Sequence, residues 1–128
     1  MRLLLDAHTL IWWLDGDRRL SPQARKAVEH ADWALIGAGT LIEIAIKRSL
    51  GKLDTDDRWT EQAQSAFEVL PVSWAHVAHL QNLPYVNVGA GKHRDPFDRL
   101  LASQALADSI PVVTRDPAFT AYGVATIW

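Results

Sequence analysis

Asp95-Pro96-Phe97-Asp98-Arg99-Leu100 through Val112-Val113-Thr114-Arg115-Asp116 is the stretch that decides how this chain folds. Its first half reads as the start of a helix. Asp95 suits the N-cap, where its carboxylate accepts free backbone N–H groups, and Pro96 suits the first helical position, where no donor is needed. Phe97, Leu100, Leu101 and Ala105 recur at helical spacing and predict one inward face. Ile110-Pro111-Val112-Val113 is a short apolar run suited to a buried parallel strand. Asp98 then falls in the first turn of the helix and Asp116 just past the end of the strand. Three carboxylates thus bracket one helix–strand unit.

The N-terminal half repeats the pattern. Leu3-Leu4-Leu5 reads as a central strand ending in Asp6, and Thr9–Leu14 as a short helix stopped near Asp15-Gly16-Asp17. Ser21-Pro22 opens a second helix with Ala24, Ala27, Val28 and Ala31 inward. Trp33-Ala34-Leu35-Ile36 is the next strand, ended by Gly37-Ala38-Gly39. Thr40-Leu41-Ile42-Glu43 opens an apolar helix to Leu50, with Gly51 just beyond its C-cap. Trp59, Ala63, Ala66, Phe67 and Leu70 predict one face of a further helix, and Ser73 caps another carrying Trp74, Val77 and Ala78 inward. Pro84 to Arg94 reads as a long loop, Pro117 to Gly123 as a turn, and Val124–Ile127 as an edge strand.

Strands alternating with helices over 128 residues predict one domain spanning 1–128: an α/β three-layer sandwich around a central, mostly parallel sheet. A hydrophobic content of 48% excludes a disordered chain, and a net charge of −2 gives no general pull toward nucleic acid or membrane. The absence of cysteine removes disulfides and thiolate metal sites. No apolar run is long enough to span a bilayer and none resembles a signal segment, so a cytoplasmic protein is expected.

In parallel sheets the functional crevice lies beyond the C-terminal strand ends. Asp6, Glu43, Asp95, Asp98 and Asp116 are all placed there by this reading. Each has an ordinary structural explanation. Thr40-x-x-Glu43 fits a capping box, Asp95 an N-cap, Asp98 a charge favourable to the helix dipole, Thr114-x-Asp116 a turn, and Asp6 the start of a loop. Caps do not require carboxylates to converge, however, and clustered carboxylates repel unless a cation is held among them. With oxygen donors and no suitably spaced Cys or His, the expected ion is Mg²⁺ or Mn²⁺.

Gly89-Ala90-Gly91-Lys92-His93 lacks the full phosphate-loop spacing and reads as a flexible loop. His76 and His79 read as surface or satisfied histidines. Lys47, Arg48 and Lys52 form either a solvated helix end or a set of phosphate contacts. Of six tryptophans, Trp12, Trp13 and Trp128 are the ones expected to serve an interface in part.

Leu4-Leu5-Asp6-Ala7-His8-Thr9-Leu10, Glu43-Ile44-Ala45-Ile46-Lys47 with Leu50-Gly51-Lys52-Leu53, His93-Arg94-Asp95-Pro96-Phe97-Asp98-Arg99-Leu100-Leu101, and Val113-Thr114-Arg115-Asp116-Pro117 resemble the PIN-domain ribonucleases, in particular the VapC-type toxins of bacterial toxin–antitoxin pairs. The resemblance covers essentially the whole chain and is most specific from His93 to Asp98. One departure is the Tyr85–Lys92 segment, which is longer than is usual in this subgroup. The resemblance implies a three-layer α/β fold, a carboxylate site for Mg²⁺ or Mn²⁺, cleavage of RNA, and inhibition by a cognate VapB-type antitoxin. It makes Asp6, Glu43 and Asp98 the core acids, Asp116 the fourth, Asp95 accessory and Thr114 a supporting hydroxyl. A homodimer is a further expectation. Two rival readings remain open at this point: an aspartyl-phosphate receiver or phosphatase-like domain built on Asp6, and a non-catalytic interaction module whose acids are only caps.

Overall fold

The computed structural model describes residues 1–128. The chain runs β1 (Arg2–Leu5), α1 (Ala7–Asp15), α2 (Pro22–His30), β2 (Trp33–Gly37), α3 (Ala38–Ser49), α4 (Trp59–Ala66) and β3 (Glu68–Leu70). It continues through α5 (Trp74–Asn82), β4 (Asn87–Val88), β5 (Gly91–Lys92), α6 (Pro96–Asp108), β6 (Val112–Val113), α7 (Pro117–Ala121) and β7 (Thr126–Ile127). Five strands form one parallel sheet in the order β3-β2-β1-β6-β7, with β1 in the middle. The β4–β5 hairpin stands apart from it.

The alternating sides of β1 explain the three layers. Leu3 and Leu5 point into one apolar core with residues of α1, α2 and α4, whereas Leu4 points into a second core with residues of α6 and α7. All three leucines are fully buried, as an uninterrupted apolar run in a central parallel strand requires. No helix is long and apolar enough to cross a membrane.

The caps are those the side chains dictate. Ser21 accepts from the Ala24 amide at 3.0 Å, and Asp95 Oδ1 accepts from the amides of Phe97 and Asp98 at 2.9 and 3.0 Å. Gly16 ends α1 at φ +63°, a left-handed conformation that costs glycine nothing. Gly37 joins β2 to α3 where Gln104 of α6 comes closest. A Cβ there would lie 2.5 Å from Gln104 Oε1, and Gln104 cannot easily yield because its Nε2 donates to the Leu70 and Pro71 carbonyls. That glycine lets α6 press against the strand end that leads to Glu43.

Several expectations are corrected. Helix α3 starts at Ala38, so Thr40 lies inside it and there is no capping box with Glu43, which falls in the second turn. The helix predicted from Trp59 toward Leu70 stops at Ala66. Phe67 takes extended angles, and Glu68–Leu70 add a strand beside β2. Ser73 does cap α5, but the inward residue is His76; Trp74 is 88% exposed and Val77 and Ala78 are also exposed. The Pro84–Arg94 segment is not a plain loop, because Asn87–Lys92 fold into a hairpin turning at Gly89, φ +63°. The turn after Asp116 contains the short helix α7. The tryptophans also sort differently. Trp12 is buried and Trp13 and Trp128 partly so, whereas Trp33 and Trp74 face solvent.

Candidate metal and catalytic site

A parallel sheet delivers the C-terminal ends of its strands, and the starts of the following helices, to one edge. Asp6 ends β1 and caps α1. Its Oδ1 accepts from the Thr9 amide at 2.9 Å, and its Oδ2 accepts from the Thr114 hydroxyl. Thr114 Oγ1 in turn accepts from the Asp116 amide at 3.0 Å, so one hydroxyl links the segments after β1 and β6. Asp116 caps α7 with Oδ1, which accepts from the Ala118 amide at 2.9 Å. Glu43, on α3, is buried and accepts from Lys47 Nζ at 2.7 Å. Lys47 is therefore paired within the site rather than left on a solvated helix end. Its pKa is raised, first by that hydrogen bond and further by the charges of Glu43, Asp95 and Asp98.

The tightest grouping is His93, Asp98 and Asp116, each offering a ligating atom with all three atoms within 4.8 Å of one another. His93 is anchored from behind. Arg99 Nη1 donates to the Tyr122 hydroxyl at 3.2 Å, Tyr122 Oη lies 2.7 Å from His93 Nδ1, and His93 Nε2 lies 3.1 Å from Asp98 Oδ2. Guanidinium offers no acceptor, so the Tyr122 oxygen accepts from Arg99, and the Tyr122 hydroxyl also donates to the His93 carbonyl at 3.3 Å. The imidazole is held at both ring nitrogens, by Tyr122 at Nδ1 and by Asp98 at Nε2. A four-residue chain thus ends on one carboxylate oxygen.

Asp98 shows the strain expected of crowded acids. Its carboxyl is pushed up to about 7, first by burial, then by Asp95, Glu43 and Asp116, with the His93 hydrogen bond acting in the opposite sense. A bound divalent cation would relieve that repulsion. The donor chemistry fits Mg²⁺ or Mn²⁺: carboxylate oxygens dominate and no thiolate is available.

The predicted residues are thus distributed unevenly. Asp98 and Asp116 meet in the tight group. Glu43 and Asp95 border Asp98 closely enough to raise its pKa, and Asp6 joins through Thr114. Asp6 and Glu43 are not within the 4.8 Å group, and Asp95 commits one oxygen to capping α6. Sequence reasoning missed His93, having found no histidine at a suitable spacing. The available signal was its place five residues before Asp98, across a Pro-containing N-cap that turns the chain back on itself.

A carboxylate-dominated site at the C-terminal edge of a parallel sheet, with helices on both faces, defines a class of metal-binding α/β domains. The chain belongs to the PIN-domain family, whose model, described as "PIN domain", matches residues 3–125. It is 29% identical over 121 residues to Ribonuclease VapC22 of Mycobacterium tuberculosis, spanning 89% of this chain and 86% of that protein. The fold is shared with VapBC2 from Rickettsia felis bound to a promoter DNA fragment, at a TM-score of 0.68 and 14% identity over 98% of this chain and 97% of the other. VapBC-1 from nontypeable Haemophilus influenzae superposes at a TM-score of 0.67 and 16% identity, over 98% and 96% of the two chains.

Proposed function

We propose that the chain is an Mg²⁺- or Mn²⁺-dependent endoribonuclease that acts as the toxin of a toxin–antitoxin pair. The observation that carries this reading is the close grouping of His93, Asp98 and Asp116 at the sheet edge of a PIN-domain chain. Similarity to a ribonuclease over most of both chains supports the choice of RNA as substrate.

Asp98 and Asp116 would hold the ion directly. Asp6 and Glu43 complete the negative wall, and Asp95 contributes charge while its Oδ1 serves the helix cap. When bound, the ion supplies Lewis-acid polarisation of a phosphoryl oxygen and a water acidic enough to attack it. Thr114 fixes Asp6, and His93 holds Asp98 in one rotamer. Lys47 holds the Glu43 carboxylate in place. The aspartyl-phosphate alternative finds no support, because both Asp6 oxygens are engaged and no lysine stands after β6.

The purified chain is expected to cleave single-stranded RNA in Mg²⁺ or Mn²⁺ and to lose that activity in EDTA, recovering it when metal is restored. Cleavage that persists after exhaustive chelation would overturn the metal mechanism.

Solved structures of this fold include VapBC pairs and a toxin–antitoxin complex, which supports a VapB-type antitoxin as partner. An apolar groove of about 520 Å³ between α3 and α4, lined by Leu41, Ile42, Ala45, Trp59 and Phe67, offers such a partner an apolar helix site. Self-association into a homodimer belongs to the same proposal. Co-expression with a cognate VapB-type antitoxin is expected to abolish growth arrest and give a complex by gel filtration. Growth arrest that the partner leaves untouched would count against the pairing.

A further inference from the structure

Beside the acidic site lies a second feature that the metal chemistry does not use. A pocket of about 320 Å³ shares Asp6 and Asp116 with that site, and its other lining residues include His8, Trp12, Arg115 and Trp128. Its size is at the lower end of the roughly 300–1,000 Å³ typical of ligand clefts. Trp12 is the buried floor. The His8 imidazole lies parallel to the indole, with centroids 5.3 Å apart and planes 10° apart, and Trp128 meets Trp12 edge-on at 5.9 Å. His8 is itself exposed and lines the pocket.

Arg115 is the one lysine or arginine on this wall. Its guanidinium carbon sits 4.6 Å from the Trp12 ring centroid, and the side chain makes no hydrogen bond or ion pair within the protein. The contrast with Arg19 is informative. Arg19 also approaches Trp12, at 5.0 Å, but its charge is spent on Asp17 at 2.7 Å. Arg115 therefore keeps five donors free beside Asp116.

A stacked cation alone would be a modest fold-stabilising contact at an exposed site. That account leaves two things unexplained: an exposed imidazole stacked on a buried indole, and an unpaired guanidinium in a pocket that also holds two carboxylates. RNA supplies a reason for both. The acid cluster repels a polyanion, so the strand needs a cation at the rim to receive a phosphate, and the exposed ring gives a base a stacking surface.

We propose that this pocket is the subsite for the nucleotide next to the scissile phosphate. The Arg115 guanidinium takes that nucleotide's phosphate and His8, backed by Trp12 and Trp128, stacks on its base. The inference rests on the ribonuclease reading above. Because stacking tolerates every base, the subsite adds affinity and register rather than strict sequence choice.

The test uses the full chain and a short fluorescein-labelled single-stranded RNA of mixed sequence, followed by anisotropy in EDTA so that it stays intact. His8→Ala is expected to weaken binding about tenfold, within the range for loss of one base–aromatic stack, and His8→Phe to restore it. Arg115→Gln is expected to flatten the slope of log affinity against log salt by about 0.7, the contribution of one phosphate contact on a single strand. In steady-state cleavage both losses fall on KM, with kcat and the Mn²⁺-induced thermal shift unchanged. Wild-type affinity in both His8→Ala and Arg115→Gln, in a chain that cleaves RNA, would overturn the subsite. A wild-type chain that binds RNA through His8 and Arg115 but cleaves none would keep the subsite as an RNA-binding site and overturn the nuclease reading.

Discussion

Asp98→Asn is expected to abolish RNA cleavage while leaving the metal-free protein at least as stable as wild type. In the absence of metal the Asp98 carboxyl titrates near 7, against an ordinary value near 4, because burial and three neighbouring acids oppose its charge. The folded state therefore holds a proton that the unfolded chain has already released. Stability falls as pH rises from about 4 to about 7 and is flat above that range. Asparagine cannot ionise, so the variant loses this decline and melts at or above the wild type in EDTA at neutral pH.

Metal reverses the ranking. An ion at a hundred times its dissociation constant stabilises the wild type by about 2.7 kcal/mol, roughly 10 °C in a chain of this size. The variant lacks a charged oxygen ligand and should keep little of that rise. Because the Asp98 proton must leave for the ion to bind, Mn²⁺ affinity of the wild type should increase with pH up to about 7 and then level off. Loss of an effect worth several kcal/mol at the transition state corresponds to a fall in cleavage of about a hundredfold or more. If Asp98 were only a favourable charge at the start of α6, the variant would instead melt slightly lower in EDTA and cleave normally. Thermal melts in EDTA and in Mn²⁺ across pH, beside a cleavage assay, separate the two cases.

The second large effect is expected at Arg99, one residue further along α6. Arg99 is 4% exposed and its guanidinium has no carboxylate partner. It is held instead by the Leu83 carbonyl at 2.8 Å, the Pro84 carbonyl at 3.4 Å and the Tyr122 hydroxyl at 3.2 Å, with its carbon 3.7 Å from the Tyr85 ring centroid. It thus pins the start of the Tyr85–Lys92 segment and orients Tyr122 toward His93. Arg99→Ala leaves two carbonyls and a hydroxyl without their donor and opens a cavity, at a cost of about 3 kcal/mol. Arg99→Lys keeps the charge but loses the planar fork, so it should recover less than half of that loss. Cleavage should fall further than stability alone explains, because His93 no longer steadies Asp98. A loss under about 1 kcal/mol in urea unfolding would show that the hydrogen-bonded chain from Arg99 to Asp98 is dispensable.

Where local chemistry and global packing agree, the sequence is readable. Ser21-Pro22 and Asp95-Pro96 announce their helices because each cap is complete within three residues, and Leu3-Leu4-Leu5 announces the central strand because both its faces are buried. The short edge strand Glu68–Leu70 defeats the same reasoning. Its residues continue the apolar spacing of α4, and at an edge they are too exposed to read as a buried run. On α5 the polar His76 is inward because Ser73 and Asp108 satisfy both ring nitrogens, which leaves Trp74 outside. No periodicity encodes such a partner 32 residues away.

The site followed the same rule. Acids at strand ends could be placed from topology alone, since every strand of the sheet points the same way. Which of them touch depends on the turn at His93-Arg94-Asp95 and on the close contact of Gly37 with Gln104. Those are tertiary facts. His93 therefore emerged only from the fold.

The central strand of the sheet is the first to be synthesised, yet one of its two neighbours, β6, is made near the end. Asp6 acquires its partner hydroxyl only from Thr114, 108 residues later. At about 5–20 residues per second, a ribosome needs roughly 5–20 s to cover that distance. For most of that interval the nascent chain lacks Asp98, and throughout it lacks Asp116 and the strand that aligns Asp6. The acids at the sheet edge therefore come together only after β6 has been made and has paired with β1, so the site is among the last parts of the chain to be assembled.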